Sequence, residues 1–591
     1  MWILTDETTP PPTGVRWLTF AAQPSRTNST RLNIVTEHPS LLCEDDRFHA
    51  IVLGRLRPYG QDYGLEQPGT WFLEQFHGAP THFYSKVAGF FAIILLDKDS
   101  GNIHLISDHV GSVPLYTATE ANQWWITDSL KLLEPHLPAI SKSLNAQAIY
   151  NYCFFHCIPS PGAIYKSFTK LQPGEQVDVD LTGKSTRRNL YKPPYNYSPA
   201  APAILMAECR QVIRDAVRRN IAPATGAFLS GGLDSSTVAG MFAEQQPGAP
   251  TFAIGFHAEG YDESAYARTT ARHFQTTHHE HYLQPAEISD NFSAVAGFFD
   301  EPFGNSSAMA AFICAQVARD HGVDVLLAGD GGDEIFAGNE RYAKQKLFEL
   351  WGRAPTALSG PLEALLSTQL GELPLLRKGR SYIEQASVPL PDRMDSWNFL
   401  NRFEPSHVFE ESFLAKIDAS TPSREKRSRY EQCPSQDPVE RMMYLDWKFT
   451  LADNDLVKVS SMCRKAGVEV RYPLFEKEVV DFSCTIPARV KLPGSKLRNF
   501  YKNSFREFLP ETTLNKEKHG FGLPFGLWMK EQPALQQLTD ETLKKLKQRG
   551  IFRPDFIEDA ITNHKSGHSG YFGELIWIMV SLEFWLASRS P

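Results

Sequence analysis

A short run of small residues, 230–236 (Ser-Gly-Gly-Leu-Asp-Ser-Ser), constrains the fold of this chain more than any other feature of its sequence. The run follows the apolar residues 227–229 and precedes a helical pattern, which predicts a turn between a buried strand and a helix. Glycines let such a turn bend tightly and bring backbone N–H groups to a phosphate, which the start of the helix also faces. Asp234 would repel that phosphate unless a metal ion lay between them. The turn therefore predicts a nucleoside triphosphate site, although an ordinary strand–turn–helix connection has the same pattern.

Length and charge narrow the class of protein. A chain of 591 residues is too long for one core and predicts two or three domains. Its net charge of −8 argues against a general nucleic-acid binder. We find no apolar run near the roughly 20 residues that cross a bilayer and no signal peptide. Eight scattered cysteines fit a reducing compartment. The sequence thus predicts a cytoplasmic protein without nucleic-acid or membrane partners.

Two regions with different patterns meet at a proline-rich linker. Residues 1–195 contain short apolar runs separated by Gly, Asp and Asn, which is typical of a β-rich domain. The segment 192–202 is rich in proline and marks the linker. From 203 to 591, predicted buried strands alternate with helices before a mostly helical end, which indicates a doubly wound parallel sheet with a helical extension. The predicted fold class is therefore mixed, with an α+β part and an α/β part.

A second turn, 328–334 (Ala-Gly-Asp-Gly-Gly-Asp-Glu), follows the predicted strand 323–327. Its carboxylates repel one another unless a cation or a polar ligand lies between them. Because the carboxyl ends of parallel strands meet at one edge of a sheet, we expect Asp234 and this turn to form a Mg²⁺ site completed by phosphate oxygens. A solvated acidic turn is the alternative. A third stretch, 516–524, places lysines near glycines, where a lysine can reach a phosphate as a mobile charge.

These blocks, in this order, resemble a known family. Residues 230–235 resemble the pyrophosphate loop of the N-type ATP pyrophosphatases, and the whole chain is similar to the glutamine-dependent asparagine synthetases and their relatives. The amidotransferase half of that family is matched by 89–93, 108–116, 158–162 and 170–174. The synthetase half is matched by 261–264, 300–302, 329–338, 457–460, 469–474 and 518–524.

The resemblance implies a fold and a reaction. It implies a class II glutamine amidotransferase-like domain over 1–195, built as an Ntn-type antiparallel β-sandwich layered with helices. It implies an asparagine synthetase-type ATP pyrophosphatase domain over 203–591. A substrate carboxylate would attack the α-phosphorus of ATP to give an acyl-adenylate and pyrophosphate, and an amine or ammonia would then displace AMP. ATP and Mg²⁺ are the implied cofactors, and a homodimer is the family analogy.

The resemblance also assigns roles to individual residues. It implies ATP contacts along the two turns and the strand beside them: Leu229, Ser230, Gly231, Gly232, Asp234, Ser235, Ser236, Ile254 and Gly329. It implies Asp234 and Asp333 as the Mg²⁺ ligands. The implied catalytic residues are Lys518, Asp330 and, as a second phosphate partner, Lys496. Asp330 stands where the family commonly has a glutamate near the acyl-adenylate. The predicted acyl-substrate pocket contains Glu301, Ser306 and Ser307.

The amidotransferase half departs from the family pattern at its catalytic positions. The family's glutaminase uses a cysteine exposed when the first methionine is removed, whereas this chain has Trp2 there and its first cysteine is Cys43. The turn that binds glutamine in the family aligns with 53–55, where Arg55 replaces a glutamate and inverts the local charge. Asp108 is retained, but its usual arginine neighbour is Ser107. We therefore expect a folded domain that does not hydrolyse glutamine.

Without glutaminase activity, the amine has to come from elsewhere, and two alternatives stay open. Free ammonia would attack an aspartyl adenylate and give asparagine. Otherwise the substrate itself would carry the amine, as in relatives that close β-lactam rings or join a peptide N-terminus to an Asp or Glu side chain in lasso peptides. The carboxylate substrate is accordingly a small molecule or a peptide, and the second alternative adds a biosynthetic partner protein. A tRNA-modifying enzyme is disfavoured by the acidic charge.

Overall fold

The computed structural model describes residues 2–5, 16–22, 31–38, 40–120, 123–137, 142–258, 260–352, 382–395, 398–516, 522–567 and 569–589. Within these residues, two largely antiparallel sheets lie in the amino-terminal part, and a parallel sheet with many helices lies in the carboxyl-terminal part. The predicted mixed fold class is confirmed at this level.

The amino-terminal strands that the structure describes form two six-stranded sheets. They are β1 (Trp2–Thr5), β2 (Arg16–Ala22), β3 (Arg31–Thr36), β4 (Ser40–Glu44), β5 (Phe48–Pro58), β6 (Val87–Asp97), β7 (Ile103–Ser107), β8 (Tyr116–Glu120), β9 (Gln123–Thr127), β10 (Phe168–Lys170), β11 (Glu175–Val179) and β12 (Ser185–Asn189). The sheets have the orders β1-β2-β3-β9-β8-β10 and β12-β11-β7-β6-β5-β4. Neighbouring strands are antiparallel except for β3 and β9, which run parallel.

Strand β6 is apolar along most of its length because it is buried on both faces. Ile94 belongs to the cluster between the two sheets, together with Leu32 of β3. Phe91 belongs to the main core cluster, which also contains Phe72 of helix Pro68–Gly78. Successive side chains of a strand point to opposite faces, so alternating residues of one apolar run can serve both layers.

The parallel sheet contains five described strands, β13 (Thr225–Phe228), β14 (Pro250–Phe256), β15 (Thr277–Leu283), β16 (Val325–Leu327) and β17 (Glu469–Arg471). Their order is β15-β14-β13-β16-β17, with every neighbouring pair parallel. The chain adds β14 and β15 on one side of β13 and β16 and β17 on the other. The strand order therefore reverses between β13 and β16, and ligands of such sheets bind at the carboxyl ends beside a reversal of this kind.

Helices cover this sheet and form the predicted helical extension. Those of five residues or more with printed bounds, besides Pro68–Gly78, are Ala146–Phe155, Pro202–Asn220, Leu233–Gln245, Ser264–Phe274, Pro285–Ala296, Ala308–Asp320, Gly332–Phe336, Glu340–Gly352, Thr421–Glu431, Pro438–Leu445, Leu456–Lys465, Lys477–Cys484, Asn499–Ser504, Glu511–Asn515, Phe525–Glu531, Pro533–Leu546, Pro554–Ser566 and Ser569–Arg589. The segment Asp446–Asp455 is a π-helix that runs directly into Leu456–Lys465. Such widened turns often occur at functional sites.

Buried charges join the amino-terminal sheets to the carboxyl-terminal part. The guanidinium of Arg57, at the end of β5, is fully buried and donates to Glu476 at 2.5 Å and to Glu478 at 2.6 Å. Lys448 of the π-helix donates to the carbonyl oxygens of His109 at 2.7 Å and Pro173 at 3.0 Å. Because unpaired buried charges are unfavourable, these contacts fix how the two parts meet.

One helix corrects the expectation that no segment is long and apolar enough to cross a bilayer. Among the described residues, Gly570–Arg589 meets that criterion with a mean hydropathy of 1.2. Two thirds of it is nevertheless buried inside the protein. Trp577 and Trp585 are almost fully buried, and the Trp585 indole donates to the carbonyl oxygen of Phe299 at 3.0 Å. Its apolar composition is accounted for by its place in the core.

Candidate active site

The glycine-rich turn lies directly after β13, as the sequence predicts. Gly231 has a φ of 70°, and a Cβ there would overlap the backbone of Ala267, so only glycine fits. Gly232 is the N-cap of helix Leu233–Gln245. The hydroxyls of Ser230 and Ser235 lie 2.9 Å apart and tie the two ends of the turn together. The turn thus presents backbone N–H groups and a helix N-terminus at the carboxyl edge of the sheet.

The acidic turn after β16 lies against the first turn. A Cβ on Gly329 would come within 2.6 Å of the backbone nitrogen of Ser235, which shows how closely the two backbones approach. Helix Gly332–Phe336 then begins, with Asp333 and Glu334 in its first turn. The two turns were predicted from separate stretches of sequence, and the strand reversal between β13 and β16 brings them side by side.

Asp234 and Asp333 converge on a single guanidinium, that of Arg498. The Nη1 atom of Arg498 donates to Asp234 Oδ2 at 2.6 Å and to Asp333 Oδ1 at 2.7 Å. Its Nη2 atom also donates to Asp234. The guanidinium carbon lies 4.4 Å from the centre of the Tyr501 ring. The two carboxylates predicted to share a metal ion therefore do face one point in space, where the structure has an arginine nitrogen.

Both turns open onto one cavity of about 1050 Å³. Most of the residues predicted for nucleotide, metal and acyl group line it: Leu229, Ser230, Gly232, Asp234, Ser235, Ile254, Ser307, Gly329, Asp330 and Asp333. The predicted Gly231 and Ser236 do not line the cavity but support the loop, and the Ser236 hydroxyl lies 3.1 Å from that of Thr270. The volume is at the upper end of the range for small-molecule sites and is large enough for a nucleotide beside a small acid.

An acid–base group lies on the wall of this cavity. Burial raises the pKa of Asp330 to about 6, with Asp455 and Asp234 adding to the effect and Lys458 opposing it. Lys458 donates to Asp455 Oδ1 at 2.9 Å. Burial lowers the pKa of Lys458, but the charges of Asp455 and Asp330 outweigh it, so its net pKa is raised. A carboxylic acid with a pKa near 6 can gain or lose a proton near neutral pH, while the lysine beside it stays charged.

Lys516 supplies a cation next to the glycine-rich turn. Its ammonium lies 3.4 Å from the carbonyl oxygen of Ser230 and 3.0 Å from Glu263 Oε2, and 4.7 Å from the centre of the Tyr266 ring. Lys518, which the resemblance selects from the same stretch, lies outside the described residues. The third sequence stretch, 516–524, is thus brought to the glycine-rich turn through Lys516.

Three other predicted residues lie away from the cavity. Lys496 is exposed and is not among the residues that line it. Glu301 accepts from Lys170 and from the backbone of Ile164, each at 2.8 Å, beside a separate cavity of about 70 Å³ at the junction of the two parts. Ser306 donates to Glu574 at 3.4 Å. Glu301, Ser306 and Ser307 were predicted to form the acyl-substrate pocket because they lie close in sequence to 300–302. Of the three, only Ser307 lines the large cavity.

Among the charged residues that line the cavity, sequence reasoning gave no role to several that contact its turns or its acidic residues, including Lys458, Asp455, Arg498 and Lys516. Lys458 lies within the family-like block 457–460 and Lys516 within the stretch 516–524, so the sequence pointed to both segments. For Arg498 the sequence offered only its position two residues after Lys496. Which of several nearby cations enters a cavity depends on the direction of each side chain. A single sequence does not give that direction.

A family model described as asparagine synthase matches residues 208–587, which include both turns and every cavity residue discussed above. The chain belongs to the asparagine synthase family. A second model, described as a glutamine amidotransferase domain, matches residues 71–191 of the antiparallel sheets. The family's ATP-dependent ligase chemistry agrees with a cavity that is lined by a glycine-rich turn at a helix N-terminus.

Several curated relatives of the asparagine synthase family are similar to this chain. An asparagine synthetase [glutamine-hydrolyzing] 1 of Bacillus subtilis is 25% identical over 85% of this chain and 78% of its own length. A putative asparagine synthetase [glutamine-hydrolyzing] of Mycobacterium bovis is 23% identical over 90% of this chain and 81% of its own length. One of Methanocaldococcus jannaschii is 34% identical over 42% of this chain and 49% of its own length. These relatives support an ATP-dependent amidotransferase-like ligase.

Arg55 and Asp108, two residues singled out in the sequence of the amidotransferase half, contact other parts of the protein. Arg55, in β5, donates to Asn220 Oδ1 at 3.1 Å, and its guanidinium carbon lies 3.8 Å from the centre of the Tyr63 ring. Asp108 is buried and accepts from the backbone nitrogens of Phe91 and Val110, each at 2.8 Å. Both side chains thus have structural partners within the protein.

Proposed function

We propose that this protein adenylates a small carboxylic acid, aspartate or a close analogue, and transfers the acyl group to ammonia with release of AMP. The proposal rests on one observation. The glycine-rich turn and the acidic turn, which contains Asp330, open onto one cavity at the point where the strand order of the parallel sheet reverses. A glycine-rich turn paired with two convergent carboxylates suits the binding of ATP with a divalent metal ion, and we assign the cleavage to the bond between the α- and β-phosphates by analogy with the asparagine synthase family.

The phosphate end of the site would bind through the glycine-rich turn and Lys516. Backbone N–H groups of the turn and the start of helix Leu233–Gln245 would donate to the phosphates. Asp234 and Asp333 would hold Mg²⁺. Two observations support this assignment: both carboxylates contact the same atom, Arg498 Nη1, and Mg²⁺ prefers one or two carboxylates plus phosphate oxygens as ligands. When bound, Mg²⁺ would neutralise charge on the departing pyrophosphate. Lys516, whose ammonium lies 3.4 Å from the carbonyl oxygen of Ser230, would stabilise the same charge.

Asp330 would act in the second step. The substrate carboxylate oxygen attacks the α-phosphorus, and the bond to the β-phosphate oxygen breaks. The nitrogen of ammonia then attacks the acyl carbon, the bond to AMP breaks, and the nitrogen gives up a proton. A carboxylate with a pKa of about 6 is deprotonated at neutral pH and can accept that proton. Lys458 would hold the carboxylate in place through its charge.

We further propose that the ammonia does not come from glutamine in this protein. Arg55 places a guanidinium where the family pattern has a carboxylate, and that group is engaged with Asn220 and Tyr63. Burial raises the pKa of the Cys43 thiol to about 11, and it also raises the pKa values of Cys153 and Cys157. A thiol with a raised pKa is a poor nucleophile at neutral pH. Macrolactam formation is not proposed, because none of the relatives reported above carries that activity in its name.

The test is an assay of products with aspartate, ATP, Mg²⁺ and ammonium. We expect pyrophosphate, AMP and asparagine in equal amounts, and pyrophosphate release should depend on aspartate. Release of ADP and phosphate, or AMP without asparagine, would remove this assignment. Replacing ammonium with glutamine should give neither asparagine nor glutamate above a buffer blank. The Asp330→Asn variant should keep nucleotide binding and lose asparagine formation, which separates the proposed base from the phosphate site.

We also propose that the protein acts in the cytoplasm without nucleic-acid or membrane partners, and that it forms a homodimer. Size-exclusion chromatography with light scattering tests the last of these directly.

A further inference from the structure

Arg498 occupies the point at which a shared metal ion would lie. Its Nη1 atom is 2.6 Å from Asp234 and 2.7 Å from Asp333, and a bound Mg²⁺ needs carboxylate oxygens at about 2.0–2.1 Å from its own centre. The nitrogen and the ion would therefore occupy almost the same position. Guanidinium and metal cannot both bridge the two carboxylates in this arrangement.

The surroundings fit this arginine closely. A Cβ on Gly338 would overlap Asp333 Oδ1 and come within 2.6 Å of Arg498 Cδ, and a Cβ on Gly332 would overlap the carboxylate of Asp234. Only 5% of the Arg498 side chain is exposed. The backbone of Arg498 is in the left-handed region, with a φ of 55°, which is uncommon for a residue with a long side chain. The arrangement is thus specific rather than a chance contact of a surface arginine.

Each carboxylate also lies in the first turn of its own helix, so the two approach from different elements. Without a cation between them they would repel each other. Arg498 supplies that cation. A guanidinium also binds phosphate oxygens through two parallel hydrogen bonds, which gives it a second partner when a triphosphate enters the cavity.

We propose that Arg498 is a built-in counter-ion that keeps divalent metal out of the Asp234–Asp333 pair until a triphosphate binds. The nucleotide brings the metal and at the same time offers its phosphates to the displaced guanidinium. Metal and nucleotide therefore bind together rather than in sequence, and the metal alone binds poorly. This inference rests on one part of the proposed function, namely that the cavity binds a triphosphate together with a divalent metal ion.

Mn²⁺ binding followed by electron paramagnetic resonance tests the proposal without any turnover. We expect the wild-type chain to bind Mn²⁺ weakly alone and strongly when pyrophosphate is added. Arg498→Met keeps the bulk of the side chain but removes its charge, so it should bind Mn²⁺ alone roughly tenfold or more tightly than wild type. Arg506→Met is the matched control, because it removes an exposed arginine that donates to Asn503 at 2.8 Å and is not among the residues that line the cavity, and it leaves the Arg498 bridge in place. Its Mn²⁺ affinity without pyrophosphate should remain close to the wild-type value.

The outcomes separate cleanly. Wild type that binds Mn²⁺ alone as tightly as Arg498→Met would overturn the proposal, as would a folded Arg498→Met that binds no Mn²⁺. If Arg498→Met does not fold, Arg498→Lys serves instead, because an ammonium group lacks the second nitrogen through which the guanidinium also donates to Asp234, and it should bind Mn²⁺ more tightly than wild type. A chain that shows this Mn²⁺ behaviour but no aspartate-dependent pyrophosphate release would lose the proposed function and keep the counter-ion.

Discussion

Changing Asp330 to asparagine should stabilise the protein while it removes activity. Burial raises the pKa of Asp330 from 3.8 to about 6, so the folded protein disfavours the charged carboxylate. The folded state binds a proton here more readily than the unfolded state, and this group therefore lowers stability as the pH rises from about 4 to about 6. Two pKa units at about 1.4 kcal/mol each set an upper limit near 3 kcal/mol, and we expect about 1–3 kcal/mol. Asparagine mimics the protonated acid and removes this penalty.

Thermal unfolding of the nucleotide-free protein at pH 4.5 and at pH 8 measures the effect. Asp330→Asn should raise the midpoint by a few degrees at pH 8 and by much less at pH 4.5. Asp418→Asn is the matched control, because hydrogen bonds from Ser420 and Arg424 lower the pKa of Asp418 to about 2, and its loss should give no gain at pH 8. A variant no more stable than wild type at pH 8, or equally stabilised at both pH values, would refute the reasoning.

Three further substitutions test other parts of the structure. Arg57→Met should lower the free energy of unfolding by about 3–5 kcal/mol, because it leaves Glu476 buried without its nearest partner, and urea unfolding measures this. Gly338→Ala should weaken ATP binding about tenfold or more in equilibrium dialysis, since its methyl group would overlap the Asp333 carboxylate; unchanged affinity would contradict this. Lys516→Met should raise the KM for ATP about tenfold, with Lys516→Arg retaining most of the affinity in the same steady-state assay.

The parallel sheet and its two turns could be predicted because their signals are local. The apolar run before 230 and that before 328 become β13 and β16, and the small residues after each leave the backbone free to bend. Ser307 lines the cavity, but it was selected only by its proximity to 300–302, which selected Glu301 as well. Glu301 could not be placed in this way, because its partner Lys170 lies far away in sequence, in the amino-terminal part. Its role is set by the meeting of the two parts.

The family and its class of reaction can be recognised from the amino-acid sequence, since the small and acidic residues of each turn are adjacent along the backbone. Which charges share the cavity depends on the fold. Asp234, Asp333 and Arg498 come from three separate segments, and their meeting depends on the strand order and on the packing of helix Asn499–Ser504. Charges interact strongly only when they lie within a few ångströms of each other in space. The number of residues between two charges does not give their separation in space unless the fold is known.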